Sequence, residues 1–424
     1  MSTQRDYSTK FEEIRVQTLF GELPKSTQQF VSEIAQRHRF SFQELRQISE
    51  IGVDLNLWGS QPLETIWPDE SQLTAQGKDL KKRLINQVQQ HWQTLKKKPN
   101  EYSKDKPIQP GIKIEPVAIT KGKLGLGHCP VASPKTLCCN LITLDAVDNC
   151  GYGCSYCSIQ SFFDGKQISF DQNFADKLAR LELDPDKTYH IGTGQSSDSL
   201  MWGNSHGILD NLLQFARSHP NVILEFKTKS ANVSHLLKQD LPRNILFTWS
   251  LSTPDIILHE ERGTASLEKR INAARSLADH GALVGFHFHP MVHYDNWRKD
   301  YTGVIHKLVD TFNPSEVALV SLGTLTFIKP VIKEIRNRGI QTQILKMSFT
   351  EADGKLSYPD DIKQDMFKHA YQSFSSQWQQ QVFFYLCMEN QRHWEPVFGF
   401  RYPSNEDFEL AMKSAYLSKI HKTV

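Results

Sequence analysis

The sequence predicts an α/β fold, a partial barrel of six β/α units with a helical N-terminal region before it and a C-terminal α/β extension after it. Three observations carry that expectation. Residues 1 to about 115 read as amphipathic helices. Six short β-rich runs then alternate with helical stretches, the signature of a parallel sheet. Beyond about residue 345 one apolar strand, "QVFFYLCME", stands among helical segments. The expected divisions are therefore 1–115, 116–345 and 346–424, and 424 residues at 39% hydrophobic suffice for a large buried core.

In order along the chain, "STQQFVSEIAQRHRF" and "SFQELRQISEIGVDLNLW" each open on Ser or Thr with Gln or Glu three positions later, which predicts capped helices. "GKDLKKRLINQVQQHWQTLKKK" predicts a basic helix, and the aperiodic "KPNEYSKDKPIQPG" a linker. Strands are expected at "LITLDAV", "TYHIGTG", "VILEFKTK", "ILFTWSLS", "LVGFHFHPMV" and "EVALVSLGT", each followed by a helix such as "SLEKRINAARSLADHG" or "FIKPVIKEIRNRG". In such sheets ligands collect at the carboxyl ends of the strands.

Composition excludes little beyond the membrane. Forty-nine Lys and Arg against 47 Asp and Glu give a formal charge of +2, silent about a nucleic-acid partner. No apolar run is long enough to span a bilayer, and the N-terminus lacks the apolar core of a signal peptide, so the expected location is cytoplasmic. Seven cysteines, three of them within eight positions, fit metal-binding thiols better than a disulfide framework.

Those three are Cys150, Cys154 and Cys157 in "DNCGYGCSYCSIQ", a C-x3-C-x2-C spacing directly after the first strand. Three thiolates in one loop hold three irons of a [4Fe–4S] cluster and leave the fourth iron open to another ligand. Zinc with His128 or Cys139 as a fourth ligand, or simply buried thiols, are the alternatives. Gly151 and Gly153 permit a tight backbone around the cluster.

With Tyr156 immediately before the third cysteine, the motif resembles that of the radical S-adenosylmethionine (SAM) superfamily. The segments "CSYCSIQSFF", "TGQSSDSL", "FKTKSANV", "FTWSLSTPDII" and "GFHFHPMVHYDNW" follow in an order similar to the spore photoproduct lyase family, over roughly residues 140 to 340. The resemblance implies SAM on the open iron and a 5′-deoxyadenosyl radical made from it. It also implies an electron donor such as flavodoxin or ferredoxin and, for that family, reversal of a thymine dimer in DNA. It implies that Ser197 and Asp198 help hold SAM, with a helix cap or turn in "SSDS" as the alternative. Lys229 is expected to meet the SAM carboxylate, with Lys227 on the same face as its rival. Ser250, with Ser252, lets SAM approach closely or is an ordinary strand-end serine. Glu261 and Arg270 read as an ion pair or a ligand contact.

Two departures from the family pattern stand out. Gln195 occupies the position where the family carries its hydrogen-donor cysteine, and an amide N–H is too strong to give up a hydrogen atom. Ser158 replaces a tyrosine of the radical relay, of which Tyr156 remains. The implied substrate is a nucleobase in DNA or RNA, with a peptide or small metabolite, or a non-enzymatic iron–sulfur protein, as alternatives. Cys129, Cys138, Cys139 and Cys387 are enough for a second iron–sulfur cluster, although neighbouring cysteines in an extended segment point apart. Cys387 is instead a hydrogen-atom donor if it faces the site. His287, His289 and His293 are expected to line the site or sit satisfied in the core. The basic helix, with seven Lys and Arg, and Trp92, Trp202 and Trp297 are the candidate nucleic-acid contacts.

Overall fold

Each of the six β-rich runs is a strand in the computed structural model, which describes residues 6–102, 115–129, 135–163, 167–352 and 354–422. They are β1 (Ile142–Asp145), β2 (Tyr189–Thr193), β3 (Val222–Thr228), β4 (Ile245–Ser250), β5 (Leu283–Met291) and β6 (Val317–Thr324). The predicted C-terminal strand is β7 (Phe383–Leu386). Neighbours from β1 to β7 pair in sequence order and in parallel, and Gly125–His128 adds an antiparallel edge beside β1.

Parallel strands covered on both faces read as near-continuous apolar runs, and β4 and β6 are buried at every position. Helices Ile208–Ser218, Leu267–Asp279 and Trp297–Thr311 cover the outside. One connection differs from the expectation: β3 passes to β4 through a single 3-10 turn, Leu236–Lys238, and no α-helix. Pro242 and the Ser/Asn-rich "KSANVS" leave too short a periodic stretch to repay helix nucleation.

The chain divides into two compact units, one of residues up to Glu101 with Phe327–Thr350, the other of Tyr102–Thr326 with the residues from Glu351 onward. In the first, helices Tyr7–Arg15, Lys25–His38, Phe42–Leu57 and Gly77–Lys97 enclose a core of Val31, Leu45, Ile48, Leu55 and Val88. Ser41 and Glu44 form the predicted capping box. The other predicted cap is not used: Pro24 precedes the helix at Lys25, Ser26 lies inside it, and Gln28 bonds back to the Gly21 and Leu23 carbonyls. Helix Lys329–Asn337, which the sequence divisions place at the end of the barrel, packs in this unit, where Arg336 grips buried Asp54 at 2.8 and 2.9 Å. The linker expected near residue 110 lies mostly outside the described residues. Among the described residues no helix is long and apolar enough to cross a membrane.

Candidate active site

β1 delivers the chain to the cysteine loop at the carboxyl end of the sheet. Asn149 takes a left-handed φ of 66°, which Asn tolerates better than most residues, and its amide donates to the Gln167 carbonyl at 2.5 Å. Gly151 is required by close approach: a Cβ there would lie 2.6 Å from Met201 Cε and 3.3 Å from the Trp202 ring. The segment after β4 then pins the loop. Gly153 N–H donates to the Arg262 carbonyl at 3.0 Å, Ser155 N–H to the Glu260 carbonyl at 2.9 Å, and the Ser155 hydroxyl to the Glu260 carboxylate.

Under the loop lies a buried ionic knot. Glu261 accepts from Tyr156 Oη, from Ser252 Oγ at 2.8 Å, from Thr264 Oγ1 at 3.1 Å and from the Arg270 guanidinium. Arg270 also donates to the Ser250 and Ala265 carbonyls, each at 2.8 Å. Burial alone would raise the Glu261 carboxyl, but Arg270 and Lys229 outweigh it and hold it at about 2. Glu261 and Arg270 are thus the ion pair of the two readings, and it joins Tyr156 to the ends of β4.

Cys150 and Cys157 are half-buried and Cys154 is buried. Burial pushes the Cys154 thiol up to about 12, and burial with nearby Asp198 pushes Cys150 well up too. A thiol in such a place becomes a thiolate when a cation replaces its proton. Among the described residues no three His, Cys, Asp or Glu side chains are grouped to hold a single metal ion. A [4Fe–4S] cluster binds each thiolate to a different iron, so three cysteines spread around one loop, with a glycine packed closely against Met201 and Trp202, fit that group.

The strand ends sort the remaining sequence-derived residues. Asp198 accepts from Thr228 Oγ1 at 2.6 Å, from the Leu200 and Met201 N–H groups at 3.0 and 2.9 Å, and from Lys229 N–H at 2.6 Å. In this structure it brackets the turn after β2 to the end of β3, and one lone pair of Oδ2 is left over. Ser197 Oγ accepts from Trp202 Nε1 at 3.3 Å. Lys229 Nζ stands 5.8 Å from the Tyr156 ring centroid, beside Cys154 and Glu261, whereas Lys227 faces His287, His289 and Cys387. Lys229 is therefore the lysine nearer the cysteine loop. Buried Ser250 gives its carbonyl to Arg270, and half-buried Gln195 sits in the turn after β2. Trp297 is a core residue, edge-on to His369 at 5.2 Å, and Trp92 stacks on Trp58 at 6.3 Å, so neither is free to stack a base.

Cys387 follows β7, and its N–H donates to the Leu322 carbonyl at 2.8 Å. Burial pushes its thiol up to about 12 against the pull of Lys227. Residues 135–140 lie alongside it, tied by Leu137 N–H to the Glu389 carbonyl at 3.2 Å and Asn390 Nδ2 to the Lys135 carbonyl at 3.1 Å. The two neighbouring thiols Cys138 and Cys139 influence each other: the Cys138 thiol is held down at about 6, chiefly by Cys139, while Cys139 is pushed well up by Cys138 and by burial. The sequence reading missed His190 and Glu225, which meet His287 inside the barrel. A charged residue in the middle of an apolar parallel strand, as in "VILEFK", was the available signal.

A partial β/α barrel with a three-cysteine loop at the carboxyl end of its first strand defines the class: the fold of the radical SAM proteins. The chain belongs to the spore photoproduct lyase family, whose model matches residues 144–385. It is 27% identical over 180 residues to the spore photoproduct lyase of Clostridium acetobutylicum, covering 41% of this chain and 53% of the relative. With the Bacillus subtilis lyase it shares 34% over 94 residues, 22% of this chain and 27% of the relative. The chain thus spans about half the length, or less, of these curated relatives. Among solved structures, a spore photoproduct lyase complexed with dinucleoside spore photoproduct superposes with a TM-score of 0.54 at 21% identity, over 64% of this chain and 82% of that one. A variant with bound AdoMet and the same dinucleoside gives 0.53 at 20% over the same shares.

Proposed function

We propose that this protein is a radical SAM enzyme of the lyase type that finishes its reaction differently from the thymine-dimer lyases. The carrying observation is the anchored loop of Cys150, Cys154 and Cys157, presented beside Lys229 at the carboxyl end of the barrel. Those cysteines would hold a [4Fe–4S] cluster, which supplies the electron that cleaves SAM to methionine and a hydrogen-abstracting 5′-deoxyadenosyl radical. Lys229 is placed to meet the SAM carboxylate. Ser197, Asp198 through its remaining lone pair, and Ser250 line the approach, and the Glu261–Arg270 knot keeps Tyr156 in place beneath.

The changed finish rests on Gln195 and Ser158, which stand where the family carries a donor cysteine and a relay tyrosine. Cys387 is the thiol that takes the donor role in this reading, because Lys227 lies beside it within the same barrel. Cys138, Cys139 and Cys129 are its thiol neighbours, and a second cluster on these four would compete with that role. The substrate is a nucleobase in DNA or RNA, as the solved lyase with its dinucleoside photoproduct suggests by analogy. The exposed Lys78, Lys82, Arg83 and Lys97 on helix Gly77–Lys97, with Lys98 just past its end, suit phosphate contacts, which would make binding fall with salt.

Anaerobic reconstitution tests the reading. The wild type is expected to take up iron and sulfide and to convert SAM to 5′-deoxyadenosine under reduction, and Cys154→Ala to lose both. A folded wild-type protein that binds only zinc and leaves SAM intact would overturn it. Iron counting in Cys387→Ser decides the second cluster, which predicts a loss of about four irons.

A further inference from the structure

A continuous hydrogen-bonded chain crosses the barrel interior from β2 to β6, and at each end, His190 and His289, one ring nitrogen has no protein partner among the described residues. His190 Nε2 lies 2.9 Å from Glu225 Oε2. Thr248 Oγ1 donates to Glu225 Oε1 at 2.7 Å, and His287 Nε2 lies 2.8 Å from the same oxygen. His287 Nδ1 is 2.5 Å from Ser321 Oγ, which is 3.0 Å from His289 Nε2. All but His289 are buried; His289, toward the carboxyl end of β5, is half-buried.

The bonding itself assigns the protons. A carboxylate only accepts, so both histidines donate Nε2–H to Glu225. Burial, reinforced by Lys227, pushes His287 down to about 4, so its Nδ1 carries a lone pair and accepts the Ser321 O–H. The Ser321 oxygen then accepts Nε2–H from His289. What remains on His289 is the Nδ1 lone pair, for which no protein partner exists among the described residues. The other end of the chain, His190 Nδ1, also lacks a hydrogen-bond partner but is sealed in the core, so half-buried His289 is the end that a molecule at the carboxyl end of the barrel can reach. The charged and titratable groups facing that imidazole are Lys227, Lys229 and Glu225 from β3 and His287 from β5, with the Cys387 backbone near it after β7.

We propose that His289 Nδ1 takes a proton from a substrate O–H or N–H held at the carboxyl end of the barrel, and that Ser321 relays the charge to His287, which faces the Glu225 carboxylate. The substrate bond to hydrogen breaks and an Nδ1–H bond forms. His289 gives its Nε2 proton to Ser321, and Ser321 gives its own to His287 Nδ1. The result is an imidazolium against Glu225, and no electron moves in these steps. The proposal rests on the reading of this barrel as a substrate site, and it names the substrate class: a molecule whose reacting carbon bears a hydroxyl or an N–H, whose acidity rises when a hydrogen atom has left that carbon.

The test uses the full-length protein without cofactors, with 15N-labelled histidine, and reads ring-nitrogen tautomers and deuterium exchange by NMR. At neutral pH His289 and His287 are both expected as Nε2–H tautomers. The His287 Nε2–H should exchange through His289, so that Ser321→Ala and His289→Leu each slow it by about tenfold or more at unchanged global stability. If His289→Leu does not fold, Ser321→Ala carries the same prediction alone. An Nδ1–H tautomer at His289, or exchange at the wild-type rate in both variants, overturns the relay. Formation of 5′-deoxyadenosine by the reconstituted wild type is scored separately: its failure removes the substrate reading and leaves the tautomer result standing.

Discussion

Lys227, within β3, and Lys229, just past its end, stand beside two differently built parts of the same barrel. Around Lys229, donors and acceptors close on one another: Glu261 takes four partners, Asp198 takes four, and Gly151 packs closely against Met201 and Trp202. Around Lys227 the polar groups form a chain with an open end at His289. A loop that must hold a preformed geometry is built by saturation, whereas a path that must exchange protons needs an unsatisfied terminus.

Breaking the saturated half should have the largest effect. Arg270→Met leaves buried Glu261 unpaired and is expected to cost about 3–5 kcal/mol in chemical denaturation. A loss below about 1 kcal/mol would mean the knot is not the anchor of the loop.

The open half should reveal itself through pH. His287 is depressed in the folded state, so between its unfolded value near 6.5 and its folded value of about 4 the unfolded chain binds the extra proton. Stability is therefore full above that window and falls as pH drops through it, by at most about 3 kcal/mol from this group. His287→Gln should flatten that slope, and Lys227→Met should narrow the window from below by letting His287 charge more easily. An unchanged slope in His287→Gln would show that the chain does not titrate there.

Gly151→Ala comes next, at about 1–3 kcal/mol with poorer cluster uptake, because its Cβ meets Met201 Cε at 2.6 Å. Adding Met201→Ala should recover part of that loss, since the clashing atom is the end of a flexible side chain; no recovery would point to Trp202 instead. The smallest stability effects belong to the lysines themselves, both half-buried, at about 1 kcal/mol or less. Their signatures should still differ: Lys227→Met is expected to move the His289 resonance without weakening SAM binding, whereas Lys229→Met, which faces both the cysteine loop and His289, should do both. Equal effects on both readouts would collapse the distinction between the two halves.

Much of this was legible before any coordinates. β4 and β6 declare themselves as parallel strands because residues covered on both faces have to be apolar, and the cysteine spacing is local, so the loop can be read off one stretch of chain. Roles that depend on a distant partner were less legible. Asp198 read as a ligand or cap and is a bracket between two strand ends, while Glu260 and Glu261 gave no sign that they pin a loop more than a hundred positions earlier. His190 and Glu225 are single polar letters in apolar strands until the register places them beside His287.

By itself, then, the sequence determined the β/α order and the three-cysteine loop with its glycines, both of which are written in local periodicity and spacing. Only the tertiary structure decided which lysine faces the cysteines, that Arg270 and Glu261 lie beneath Tyr156, and that six residues from five strands join into one hydrogen-bonded chain. Those facts depend on the stagger between neighbouring strands. That stagger is set by packing and backbone pairing across the whole sheet, and no single segment of the chain encodes it.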